Sequence, residues 1–199
     1  MRQPIAKLLV ACGLGLTWLL GASSAFAYRH YDRGGLKRAE ARYERVFSLG
    51  EARPNPRITP GALNPAVDQA NIRETICARG YSKSIRPPEK YTERLKRQGI
   101  RRYHHDDRRL RDYEEDHLVS LELGGSPRSP HNLWPEPHHV VGGWGSYAKD
   151  RLEDRLHWLV CRGRVPLALA QHDIATDWIA AYRRYVGHNP APGRRRRVY

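Results

Sequence analysis

The run Tyr113-Glu114-Glu115-Asp116-His117-Leu118-Val119-Ser120-Leu121-Glu122-Leu123-Gly124-Gly125, answered by Asn132-Leu133-Trp134-Pro135, constrains this chain more than any other stretch. A regular strand sends neighbouring side chains to opposite faces. Strict alternation therefore groups His117 with Val119, Leu121 and Leu123, and Asp116 with Leu118, Ser120 and Glu122. Carboxylate and imidazole can serve one site only where the strand is distorted or ends. Gly124-Gly125 and the loop to Pro130 turn the chain back and return Asn132 beside the pair. A carboxylate, an imidazole and an amide so placed can hold one divalent cation, activate a water and orient the base, the minimum for metal-assisted phosphodiester hydrolysis. Asp-His pairs also arise by chance, a His on an apolar strand face is commonly a satisfied core residue, and Asn-Leu-Trp-Pro can be a turn with a packed indole. Order, spacing, turn and following helix, coinciding in one basic chain, favour the functional reading.

The helices around this stretch follow from apolar periodicity. Ser146 to Cys161 carries Leu152, Leu156, Leu159 and Val160 on one stripe, with Asp150, Glu153 and His157 on another face. Arg162-Gly163 stops it, Pro166 suits the first turn of the next helix, and Leu167, Ala170, Ile174, Trp178, Ala181, Tyr182 and Tyr185 form a second stripe ended by Gly187. Upstream, Glu89 to Gln98 is a basic helix with Tyr91 and Leu95 inward, Ser82 to Arg86 a short strand, and Asn71-Ile72-Arg73-Glu74 a capping box whose turn delivers Cys77. The charge run Arg101 to Arg109 reads as a solvated loop, although its His and Asp pairs could be ligands.

With 199 residues the chain has room for one domain and extensions. Residues 1–27 read as a signal peptide: Arg2 and Lys7, an apolar run from Leu8 to Leu20, then Ala25-Phe26-Ala27. An uncleaved anchor and lipid attachment at Cys12 are the competing readings. Residues 28–67, rich in Arg, Gly and Pro, read as a mobile basic arm, although a helix around Leu36 to Phe47 is an alternative; 68–187 form the domain and 188–199 a disordered basic tail. Cleavage leaves Cys77 and Cys161, which suggests one disulfide in an exported, periplasmic or secreted protein; two unrelated thiols are the alternative. The excess of 35 Lys+Arg over 21 Asp+Glu, a net charge of +14, favours polyanionic partners, with nucleic acid first and an anionic membrane surface or envelope polymer as the competitor. Once the leader is cleaved, no stable membrane insertion is expected.

At Asp116-His117, Gly124-Gly125 and Asn132-Leu133 the chain resembles the HNH, or His-Me finger, nucleases. Over Thr59 to Tyr185 it is similar to a group of exported bacterial HNH-like proteins, through Glu115 to Gly125, Asn132-Leu133-Trp134-Pro135-Glu136, Lys149-Asp150-Arg151-Leu152-Glu153 and Leu159-Val160-Cys161. The resemblance implies an α+β fold with a small ββα-metal hairpin-plus-helix core inside a mainly helical domain. It makes His117 the general base, Asp116 a metal ligand and Asn132 the residue that fixes the histidine. The third ligand departs from the pattern, because the usual interval reaches Val141; Asp150 takes that place if the long loop delays the helix, and is otherwise a helix-start acid interacting with the dipole. Glu153 and His157 could extend the site, although a solvated or capped role suits each better. The expected cofactor is one divalent ion, magnesium or manganese ahead of zinc or nickel. Lys96, Arg97, Arg101 and Arg102 would neutralise the phosphates of nucleic acid, DNA ahead of RNA. The competing function is a non-catalytic envelope protein that binds DNA or an anionic polymer through a degenerate version of the same fold.

Overall fold

The computed structural model describes residues 45–190. The leader, the first part of the basic arm and residues 191–199 of the tail lie outside them. Among the described residues the fold is α+β, with four helices and one two-stranded antiparallel sheet: α1 (Tyr81–Ile85), α2 (Glu89–Arg102), β1 (Tyr113–His117), β2 (Leu133–Pro137), α3 (Ser146–Cys161) and α4 (Leu167–Tyr185). No described helix is long and apolar enough to cross a membrane.

The hairpin pairs Tyr113 with Pro137 at one end and His117 with Leu133 at the other. Direct cross-strand partners share a face, so Glu114, Asp116 and Glu136 lie together on one side of it, and Glu115 with His117 on the other. The first side meets α3 through Lys149, and the second meets α2. Close approach of α2 depends on Gly99, where a Cβ would stand 2.9 Å from Pro135 Cδ. Pro87-Pro88 confines the start of α2, and Glu89 in its first turn with Arg101 and Arg102 in its last suits the helix dipole.

α3 and α4 carry the core. Leu152, Leu156 and Val160 of α3 pack with Ala170, Ile174 and Trp178 of α4, all buried, and Trp144 stands edge-on to both Trp178 and Tyr182. Their burial follows the expected stripes because both helices bury the residues that recur at helical spacing. The disulfide is present: Cys77 and Cys161, with Cα atoms 5.7 Å apart, tie the segment before the hairpin to the end of α3.

Several local expectations are corrected. Residues 45–67 are not a free arm: Phe47 is buried, donates its N–H to His139 O at 2.8 Å and accepts from Val141 N at 2.9 Å, while Ala52 and Thr59 are fully buried. The prolines there break periodicity without removing the segment from the core. Ser82 to Arg86 is not a strand; Tyr81–Ile85 is one helical turn set off by Gly80 and Pro87, too short to show a period. Asn71 to Cys77 closes as successive turns, with Thr75 Oγ1 donating to Asn71 O at 2.7 Å. α2 runs on to Arg102 and buries Lys96 and Ile100, leaving Tyr91 and Leu95 half-buried. Beyond it the charge run is partly internal, with His105, Asp107 and Asp112 buried and Arg109 bridging the two aspartates.

Candidate active site

β1 ends at His117, which resolves the alternation problem: the last strand residue and the one before it face different neighbours at the same strand end. The chain beyond it is clamped by Asn132. Its Oδ1 accepts from Val119 N at 2.9 Å, and its Nδ2 donates to Val119 O at 2.9 Å and Ser126 O at 3.1 Å. Gly125 lets this loop close, since a Cβ there would fall 1.7 Å from Val119 O. Asn132 therefore does not bond the His117 ring directly, as the resemblance suggests. It holds the Ser126 carbonyl, and the adjacent Pro127 carbonyl meets His117 Nε2 at 3.0 Å. The orientation is transmitted through the loop backbone.

A carbonyl only accepts, so Nε2 carries the ring proton and Nδ1 keeps the free lone pair. Burial holds the His117 pKa below the usual value of 6.5, against the opposing effects of Pro127 and Asp116. With 4% of its surface exposed, the ring sits at the floor of a cleft of about 350 Å³ that is also lined by Arg86, Thr92, Lys96, Glu114 and His138. Glu115, on the same strand face as His117, also borders this cleft; burial and then the charge of Asp116 push its carboxyl up to about 8. At neutral pH this strand face therefore presents a neutral imidazole and a protonated carboxylic acid.

Asp116 points the other way. Lys149 Nζ, wholly buried, donates to Asp116 Oδ2 at 2.5 Å, to His117 O at 2.8 Å and to Glu153 Oε1. Glu136, also wholly buried, has no hydrogen-bond acceptor or donor other than the Asp116 carboxyl it faces. Burial and the Asp116 charge raise Glu136 well above the carboxylate range, so it keeps its proton and donates it to Asp116. Burial would raise Asp116 too, but Lys149 and the Glu136 proton bring it below its ordinary value. Lys149 stays charged: burial alone would lower it, and the surrounding carboxyls override that and hold it well above its usual value. Burial raises Glu153 as well, against the opposing pull of Lys149.

The residues as placed do not fit a divalent ion at Asp116. Its Oδ2 is taken by an ammonium; an ion on the remaining oxygen would stand roughly 5 Å from that charge, a repulsion on the order of 6–7 kcal/mol at an effective dielectric of ~20. Asp150 does not close the site either. It is exposed on α3, its carboxyl raised to about 6 by partial burial and by Asp116, and it forms no three-ligand group with Asp116 and His117. Among the described residues the group whose ligand atoms do converge is Cys77, His157 and Cys161, and its two sulfurs are joined as the disulfide.

Lys96 is also reassigned. It is buried, donating to Tyr113 O at 3.2 Å and paired with Glu93 at 2.6 Å, which fixes α2 to β1 and leaves little of it for a phosphate. Arg97, Arg101 and Arg102 remain exposed, and Arg102 borders a second, larger groove of about 740 Å³ with Arg53, Arg57 and His104. Residue patterning alone missed Arg86, Glu136 and Lys149. The signal for Lys149 was present, because it falls on the apolar stripe with Leu152 and Leu156 and has Glu153 one turn away. A lysine at a core position needs a buried acid to meet it. Comparison with protein-family models, with curated proteins and with solved structures gives no match.

Proposed function

We propose that this chain is an exported endonuclease of HNH-like design that hydrolyses phosphodiester bonds of nucleic acid, with His117 as general base. One observation carries the reading: a neutral imidazole, its Nε2 tied to Pro127 O, lies at the floor of a cleft that Glu115 and the exposed Arg86 also border. The order of hairpin, glycine turn and helix supports it, as does the likeness of Asp116-His117, Gly124-Gly125 and Asn132-Leu133 to that family.

In this reading Nδ1 takes a proton from water, the resulting hydroxide attacks phosphorus, and the bond from phosphorus to the leaving oxygen breaks. Arg86, exposed on the cleft rim, faces the non-bridging oxygens, and Glu115 returns a proton to the leaving oxygen. Arg97, Arg101 and Arg102 add sequence-independent, salt-sensitive affinity, for DNA ahead of RNA. The expected magnesium or manganese ion has no place in these steps, because Lys149 already satisfies Asp116.

That last point favours a second reading, a binding protein that retains the fold without the chemistry. Nicking of supercoiled plasmid and cleavage of single-stranded RNA, each with and without EDTA, separate the two. Cutting that is lost in His117→Ala while gel-shift binding persists supports the enzyme. Full-rate cutting by His117→Ala refutes it, and salt-sensitive binding without any cutting supports the binding protein.

A further inference from the structure

Three oxygens converge on the Lys149 ammonium: Asp116 Oδ2, the main-chain oxygen of His117 and Glu153 Oε1. An ammonium has three N–H donors, so none is left over. Behind Asp116 stands Glu136, with no exposed surface and neither carboxyl oxygen bonded to any donor. Carboxylates plus a backbone carbonyl are the all-oxygen surroundings that hard divalent cations select. Here a side chain from the same helix turn as Glu153 fills them.

We propose that Lys149 is the resident cation of this site, occupying the position between β1 and α3 that a divalent ion would otherwise take, so that Asp116 is not a metal ligand in this chain. The ammonium neutralises Asp116 and grips the carbonyl of His117, which fixes the end of β1 from the side opposite Pro127. Lys149 is wholly buried and does not reach the cleft, so its role is to position His117 and exclude an ion. Any phosphodiester chemistry at His117 then proceeds without a divalent ion on Asp116. This functional consequence rests on the nuclease reading, whereas the occupancy itself can be measured without activity.

The direct test is Mn2+ binding to the purified chain, followed by loss of the free-ion signal in electron paramagnetic resonance. The wild type should show no saturable site that Asp116→Asn removes. Lys149→Met should gain one, at least tenfold tighter than any wild-type binding, and the double variant Lys149→Met/Asp116→Asn should lose it again. A wild-type site abolished by Asp116→Asn overturns the proposal, as does a folded Lys149→Met that gains no site. Should Lys149→Met fail to fold by circular dichroism, the wild-type and Asp116→Asn arms still decide. The outcomes are separable: Mn2+ on wild-type Asp116 with metal-dependent cutting sinks this inference and keeps the nuclease, whereas no cutting with no wild-type site does the reverse.

Discussion

Removing the Lys149 charge is the sharpest perturbation of this fold. With the charges of Lys149 and Asp116 roughly 3.5 Å apart, an effective dielectric of ~20 gives a gross attraction of about 5 kcal/mol. The side chains are 1% and 16% exposed, so solvent screens little of it. Breaking such a buried pair from one side costs about 3–5 kcal/mol, because the abandoned carboxylate stays buried. Lys149→Met should therefore lose that much in urea denaturation, or on the order of 10 °C in Tm for a domain of this size. The loss has a pH signature. In the wild type the lowered Asp116 carboxyl contributes stability above its unfolded value of about 3.9, and that contribution is lost as pH falls through the folded value. Without Lys149 the same carboxyl is raised instead, so the gap between the two proteins widens as pH rises from about 4 towards neutrality. Asp116→Asn should cost about 1–3 kcal/mol less in the Lys149→Met background than alone. A Lys149→Met protein within about 0.5 kcal/mol of wild type across that range, the scale of an ordinary surface substitution, would refute the buried-pair account.

Cleavage should follow a bell-shaped pH profile, rising through the His117 value, which lies below 6.5, and falling above about 8 as Glu115 ionises; a profile unchanged in Glu115→Gln would remove Glu115 from the chemistry. Asn132→Ala strands a buried N–H and frees two carbonyls of the clamped loop, so it should cost about 2–4 kcal/mol in chemical denaturation. Asn132→Asp should not rescue it, because an ionised carboxylate cannot donate to Val119 O and Ser126 O. Closing a loop with a sequence separation of 84 is worth about 4–5 kcal/mol by chain entropy, so Cys77→Ser/Cys161→Ser should unfold at correspondingly lower urea; a change under about 1 kcal/mol would show the reduced ensemble is already constrained.

How far the sequence could be read differs by element. α3 emerges with its observed bounds and α4 with its buried stripe, because each is long enough for several turns of period to accumulate. α1 reads as a strand in the sequence because five residues between a glycine and two prolines carry no period at all. Residues 45–67 looked free because Phe47, Ala52 and Thr59 are spaced irregularly; their burial comes from contacts with residues far along the chain, such as Phe47 with Val140 and Ala52 O with Trp178 Nε1. At the site, Asp116, His117, Gly125 and Asn132 stood out because they are close in sequence and chemically distinctive. The route by which Asn132 acts on His117, through Ser126 and Pro127, depends on the path of the loop backbone.

By itself the sequence determined the two long helices, the glycine turn that brings Asn132 back, and the even cysteine pair. Those features are written in local periodicity, turn chemistry and residue counts. Only the tertiary structure decided what Asp116 faces. A carboxylate beside a histidine can meet an ion or an ammonium with equal chemical sense, and the choice depends on which residue of α3 reaches across to the hairpin. Helix rotation and packing of the Leu152–Leu156 stripe turn Lys149 inward and leave Asp150 outward. Adjacent residues thus receive opposite fates from a rotation of about 100° per residue.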